Sequence, residues 1–288
     1  MMAESLRGML LLTRPRQWLK NLLVLAVPLA AGKIGSSELV GDVILAVLAM
    51  TFLSAATYCA NDVIDTPNDR LHPVKSSRPV ASGSVSSSAA GVLAATLLLL
   101  GLVIASQLPD EFLMLAVSYL LVQVAYTAGL KRVQLADVTC VALGFVIRAV
   151  AGGAATALPV TSSFIIVVSA TAFFVASAKR SSEITQLGDS SPTRDVLAKY
   201  GHEYLQLLWT SSMTVAIVAY VIWSSEIVEE STLAQVTAAP FALTMLRYAS
   251  HAVAGDAQEP EEVLMKDKAL LSLAIAWAAL FFVRASLL

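Results

Sequence analysis

Apolar and polar residues are sorted along this chain in long blocks. Nine mostly apolar runs, near 18–35, 39–60, 87–106, 111–129, 135–155, 162–179, 203–224, 232–249 and 269–286, are separated by shorter polar segments. A helix needs about 20 apolar residues to cross the hydrocarbon core of a bilayer, and most of the runs have close to that length. They are too long and too uniformly apolar for barrel strands. Backbone groups in lipid must also bond within the protein, so runs of this kind predict helices. The expected fold class is an all-α membrane protein of nine transmembrane helices, one integral membrane domain over 1–288.

Composition agrees with this pattern. Hydrophobic residues make up 57% of the chain and charged residues only 14%, about half the share usual in soluble domains. The mean hydropathy is +0.74. Disorder is excluded, because so much apolar surface must be buried, and an ordinary soluble enzyme would lack the polar surface to cover itself. The net charge of -2 says little, but its distribution says more: 16 of the 19 lysines and arginines fall on the N-terminal segment and alternate loops. The other side holds only Lys33 and Arg284, and Arg148 lies within a run. The positive-inside rule then places the N-terminus and the basic loops in the cytoplasm of a multi-pass protein of the cell inner (plasma) membrane, with the C-terminus outside. The short Met1 to Leu12 segment lacks the features of a removable signal peptide. Cys59 and Cys140 sit in apolar stretches without metal-ligand spacing and are expected as buried small side chains. No nucleic-acid partner is expected. Small residues on membrane-facing positions leave room for packing between copies, so a homo-oligomer is compatible with the sequence.

The candidate chemistry gathers at the basic ends of the runs. The second run ends in Asn61-Asp62-Val63-Ile64-Asp65-Thr66-Pro67-Asn68-Asp69-Arg70. On a helix, Asp62, Asp65 and Asp69 would share one face, although Pro67 disfavours helix at Thr66 and can end or kink it there. Neighbouring acids repel unless a cation joins them, and Mg²⁺ takes one or two carboxylates together with substrate phosphates. Asp62, Asp65 and Asp69 are therefore the candidate catalytic and metal-binding residues. Arg70, His72, Lys75 and Arg78 follow directly, as cations suited to a metal-bridged phosphate. The first run opens with Arg14-Pro15-Arg16-Gln17-Trp18-Leu19-Lys20-Asn21; Arg16 and Lys20 share a helix face, and Trp18 fits an interfacial anchor. The sixth run ends in Lys179-Arg180-Ser181-Ser182-Glu183, a second polar cluster expected to face the first across a cytoplasmic cavity. Tyr126 and Lys131 lie near the end of the fourth run. Arg148 is deep in the fifth, where pairing with backbone or with an acid such as Asp137 is expected. The Arg247 to Asp267 segment, with Glu259-Pro260-Glu261-Glu262, reads as a lid or as a solvated acidic loop.

These motifs, taken in order, resemble the UbiA superfamily of intramembrane prenyltransferases, whose nine helices carry an N-D-x-x-D-x-x-x-D motif after helix two. Arg14 to Asn21, Asn61 to Gly83, Gly129-Leu130-Lys131, Ile147-Arg148-Ala149 with Gly152-Gly153, Lys179-Arg180, and Arg247-Tyr248-Ala249 followed by Glu259-Pro260-Glu261 resemble its decaprenyl-phosphate phosphoribosyltransferase branch. That resemblance implies a UbiA-like bundle with a cytoplasmic-facing active-site cavity. It implies Mg²⁺-dependent transfer of 5-phosphoribosyl from 5-phosphoribosyl 1-diphosphate to a polyprenyl (decaprenyl) phosphate, releasing diphosphate, in cell-wall arabinan precursor synthesis. It places metal and diphosphate on Asn61, Asp62, Asp65 and Asp69. Ordinary members carry a second D-x-x-x-D motif after helix six; here one acid, Glu183, follows two bases. That departure suits an extra ribose phosphate on Lys179 and Arg180, with Arg16, Gln17, Lys20, Tyr126 and Lys131 as further candidate substrate contacts. Two rival functions remain at this stage. One is a UbiA-type aromatic prenyltransferase with a prenyl diphosphate donor. The other is a secondary transporter, which would place its charges nearer the midplane.

Overall fold

The computed structural model describes residues 2–71, 75–187, 197–226 and 235–285. Among them every regular element is helical. In chain order these are α1 (Met2–Leu12), a 3₁₀ segment (Pro15–Leu25), α2 (Ala26–Ala30), α3 (Val40–Ile64), α4 (Thr66–Leu71), α5 (Ser87–Ala105), α6 (Asp110–Ala128), α7 (Ala136–Thr156), α8 (Ser162–Leu187), α9 (His202–Glu226), α10 (Ala238–Ala254), α11 (Pro260–Lys266) and α12 (Lys268–Ala285). Short 3₁₀ turns at Lys75–Ser77, Leu130–Arg132 and Leu197–Lys199 join some of them.

Six helices, α3 and α5 to α9, are long and apolar enough to cross a membrane. They coincide with six of the nine expected runs. The eighth and ninth runs differ in detail: α10 is 17 residues long, and the start of the expected span at 232–249 falls outside the described residues. The 18-residue helix α12, Lys268–Ala285, matches nearly all of the last run. The first run departs most. In place of one helix over 18–35, the chain winds as 3₁₀ through Pro15–Leu25 and continues as the five-residue α2. An eleven-residue 3₁₀ stretch is unusual, and a close approach within the fold accompanies it. A Cβ on Gly152 of α7 would collide with the Val24 carbonyl oxygen. Only a glycine lets the α7 backbone come this near to the 3₁₀ segment.

The chain divides into two compact units. The first comprises Met1–Ala26, Ser36–Thr127 and Ile147–Leu158. Its core is built by the inner faces of α3, α6 and the end of α7, with Met50, Leu53, Phe112, Ala116, Tyr119 and Ala151 fully buried beside Val24 of the 3₁₀ segment. A smaller cluster of Leu12, Cys59, Val80, Val85 and Ala90 packs α1, α3 and α5 beneath the acid motif. Both cysteines are buried and unpaired, as expected. The outward faces stay apolar: Val92 and Leu99 on α5 and Met114, Leu121 and Val124 on α6 are all more than half exposed. In water such faces would be a liability; in lipid they are the ordinary surface.

The second unit comprises Val27–Gly35, Ala128–Val146 and Pro159–Leu288. The antiparallel neighbours α8 and α9 form its frame. An aromatic cluster joins α9, α10 and α12: Tyr220 stacks on Phe241 with centroids 4.1 Å apart, and the Trp277 indole donates to the Tyr220 hydroxyl at 2.8 Å. That hydroxyl in turn donates to Thr237 at 3.0 Å, so the buried polar tip is satisfied.

Candidate functional site

The acid motif forms where α3 ends. Asp62 lies on its last turn, and Asp65 follows the helix with φ -83 and ψ -3. A new helix, α4, starts at Thr66 with Pro67 in its first turn, where a missing N–H costs nothing. The frame is bent, not lost: the Asp69 N–H still donates to the Asp65 carbonyl at 2.9 Å. The Thr66 hydroxyl ties the junction by donating to the Asp62 carbonyl at 2.6 Å.

Two arginines close over this junction. Arg78 Nη1 donates to Asp69 Oδ2 at 2.7 Å and reaches Asp62 Oδ1 at 3.3 Å. Arg14 Nη2 donates to the same Asp62 Oδ1 at 2.5 Å. Asp62 is only 3% exposed, so without these cations its charge would be costly. Asn61 beside it accepts from the Thr127 hydroxyl at 2.8 Å, which anchors the motif to α6. Arg70 turns away from the acids and donates to the Ala81 carbonyl at 3.3 Å.

Among the described residues no three His, Cys, Asp or Glu side chains assemble as a metal-holding group. Asp62 and Asp69 are brought together through Arg78, and Asp65 is not drawn into a three-acid set with them. The pair still suits a hard cation. Two carboxylates converging on one guanidinium supply the one or two oxygen ligands that Mg²⁺ takes beside substrate phosphates.

The remaining candidates of this unit differ in exposure. Arg16 is exposed, while Gln17 and Lys20 on the 3₁₀ segment, Lys75 and Tyr126 are half-buried. His72 lies outside the described residues. Arg148 does not pair with Asp137. Its Nε donates to Asn21 Oδ1 at 2.8 Å and its Nη2 to the Tyr119 hydroxyl at 2.9 Å. Asn21 passes the network on to Thr51 and Ser54, each at 3.2 Å. Arg148 is paired inside the bundle, but the Asp137 alternative is out of reach for a geometric reason. Arg148 and Asp137 sit on one helix eleven residues apart, roughly 16 Å along its axis.

The second polar cluster, in the other unit, is a buried network. Asp137 is fully buried and Arg180 is 4% exposed. Arg180 Nε donates to Asp137 Oδ2 at 2.7 Å and Nη1 to Glu183 Oε2 at 2.8 Å. The Tyr200 hydroxyl donates to Asp137 Oδ1 and accepts from the Leu135 N–H at 2.6 Å. Burial, with this bond to Asp137, pushes the Tyr200 phenol well above the usual tyrosine range. Lys179 lies 3.6 Å from Glu259. Lys131 is half-buried in its 3₁₀ turn. Neither Asp137 nor Tyr200 carries a sequence signal for this role, since their partners are remote in the chain.

The segment read as a lid or acidic loop is ordered by α8. The Ala257 N–H donates to the Ser182 hydroxyl at 3.1 Å, and Gln186 donates to the Gly255 carbonyl at 2.9 Å. Its acidic run is mostly the helix α11. A cavity of about 700 Å³ opens beside it, lined in part by Arg247, His251, Glu262 and Asp267. Asp267 caps α12 through the N–H groups of Ala269 and Leu270. His251, the Leu270 N–H and Arg247 together hold its carboxyl well below the usual range.

A family model described as the UbiA prenyltransferase family matches residues 22–277. The decaprenyl-phosphate phosphoribosyltransferase of Mycolicibacterium smegmatis is 36% identical, over 96% of this chain and 93% of the relative. That of Corynebacterium glutamicum is 35% identical, over 94% of this chain and 84% of the relative. Among solved structures, a UbiA homologue of Archaeoglobus fulgidus bound to DMAPP and Mg²⁺ superposes with a TM-score of 0.75 at 19% identity, covering 98% of this chain and all of the other.

Proposed function

Because the chain belongs to the UbiA prenyltransferase family, we propose that this multi-pass membrane protein transfers 5-phosphoribosyl from 5-phosphoribosyl 1-diphosphate to a polyprenyl phosphate of the decaprenyl class and releases diphosphate. The observation that carries the reading is the identity of more than a third to a decaprenyl-phosphate phosphoribosyltransferase, sustained along almost the whole chain. We place the acid motif at the cytoplasmic face of the inner membrane and count nine spans, in line with the charge asymmetry.

In this reading Asp62 and Asp69 would hold Mg²⁺, and Asp65, which the structure does not group with them, would join as the third acid when the ion binds. When bound, the ion neutralises the donor's diphosphate and stabilises it as a leaving group. The residues of the chain do the rest. Lys20, Lys75 and Arg78 bind the remaining diphosphate oxygens, where their charge counts most as the C1–O bond breaks. Positive charge develops on C1 and the ring oxygen of the ribose. A phosphate oxygen of the acceptor lipid forms the new bond to C1; being already anionic, it needs no general base. The asparagine Asn61, fixed by Thr127, keeps the motif in register.

The test is direct. Purified protein in detergent is incubated with Mg²⁺, labelled 5-phosphoribosyl 1-diphosphate and decaprenyl phosphate. Label is expected in the organic phase, and it is expected to vanish with EDTA and fall sharply in Asp65→Asn. Turnover of a prenyl diphosphate with an aromatic acceptor, and no transfer of ribose label, would sink the proposal while leaving the fold standing.

A further inference from the structure

We propose that Arg14 is a built-in counter-ion for Asp62, displaced when a divalent cation arrives with the diphosphate donor, so that metal and donor load together. This deepens the proposed function and rests on its metal site. Asp62 Oδ1 is approached by two guanidinium groups, Arg14 Nη2 at 2.5 Å and Arg78 Nη1 at 3.3 Å. A hard cation bonds carboxylate oxygen at about 2.0–2.1 Å. It cannot take Oδ1 while both N–H groups fill that oxygen's lone pairs, and at Oδ2 it would stand beside two guanidinium charges.

Of the two, Arg14 is the one built to leave. Arg78 is held by a second acid, Asp69, at 2.7 Å. Among the described residues Asp62 is the acid paired with Arg14; the arginine's guanidinium also lies 5.1 Å from the centre of the Tyr58 ring, a weaker hold. Its side chain is 31% exposed against 3% for Asp62. The arginine can therefore move into solvent, but Asp62 would then keep only the longer 3.3 Å contact to Arg78, a guanidinium it shares with Asp69. An arriving divalent cation compensates that loss.

The backbone agrees. Arg14 sits between α1 and the 3₁₀ segment with φ 52 and ψ 67, a left-handed conformation that residues with a Cβ seldom adopt. Strain of this kind persists where the surroundings enforce it. Released from Asp62, the guanidinium is available to the diphosphate, whose oxygens match its fork of donors. Arg14 thus opposes metal binding in the empty protein and favours it once an anionic donor is present, and linkage makes the effect reciprocal.

Manganese is the probe. Binding of Mn²⁺ to the full-length, substrate-free protein in detergent is read from the electron spin resonance of the free ion. Arg14→Gln is expected to bind Mn²⁺ about five-fold or more tightly than wild type. The same variant is expected to retain less labelled 5-phosphoribosyl 1-diphosphate at saturating Mn²⁺. Arg14→Gly, which suits the left-handed backbone, should give the same metal result and serves if Arg14→Gln folds poorly. Equal or weaker Mn²⁺ affinity in folded Arg14 variants overturns the inference. Undiminished binding in Asp62→Asn, or none in any form, overturns the metal site itself and the inference with it.

Discussion

At the scale of single residues, the site depends on side chains that answer more than one partner. Arg78 spans Asp62 and Asp69. Arg78→Gln is expected to lower kcat/KM for ribose transfer roughly 100-fold or more, because two neighbouring acids lose their shared cation and the leaving group loses a donor. Steady-state kinetics checks this, and recovery by Arg78→Lys should be incomplete, since an ammonium lacks the planar fork. Tyr200 gives a pH signature. Its phenol is held protonated by burial and by its bond to Asp137. The folded state therefore keeps a proton that the unfolded chain loses near pH 10. The corresponding stability is complete below that pH and is lost as pH rises above it. Tyr200→Phe should remove this alkaline slope, seen as melting temperature against pH. It should also cost about 1–3 kcal/mol by leaving Asp137 Oδ1 without its donor.

At the scale of elements, the junctions decide the geometry. The bend between α3 and α4 sets Asp62 and Asp69 under one guanidinium, where a straight helix through Asp69 would have aligned three acids along a single face. The approach of α7 to the 3₁₀ segment leaves no room for a side chain at Gly152. Gly152→Ala is expected to destabilise the protein by about 1–3 kcal/mol, because the Val24 backbone would have to retreat. Gly91 on α5, where a Cβ would meet nothing within 4 Å, is the control. Thermal unfolding in detergent should show a lower melting temperature for Gly152→Ala and no loss for Gly91→Ala, whose added methyl favours helix.

At the scale of the whole molecule, orientation is the open prediction. Basic loops alternate with neutral or acidic ones along the chain. In a background with Cys59 and Cys140 replaced by serine, Ser84→Cys and Glu111→Cys place one thiol on each side. A membrane-impermeant maleimide applied to cells with a permeable outer envelope is expected to label Glu111→Cys and spare Ser84→Cys. The reverse pattern would put the acid motif outside, away from a cytoplasmic sugar phosphate donor.

The sequence by itself determined the membrane class, six of the long helices and the place of the acid motif. Length and hydropathy of a run are local properties, and lipid enforces helix on any such run. The residues Asn61, Asp62 and Asp69 were legible because a short motif at a helix end stays together whatever the rest of the fold does. The pairing of charges was not legible. Arg14 meets Asp62 across 48 positions, Arg180 meets Asp137 across 43, and Arg148 meets Asn21 across 127. Which charges meet depends on how helices are rotated and how closely their backbones pass, and those quantities arise only when the helices pack. The 3₁₀ winding of the first run belongs to the same class. Its apolar residues predict a span, but its winding accompanies a tertiary contact, the bare α-carbon of Gly152 against the carbonyl of Val24.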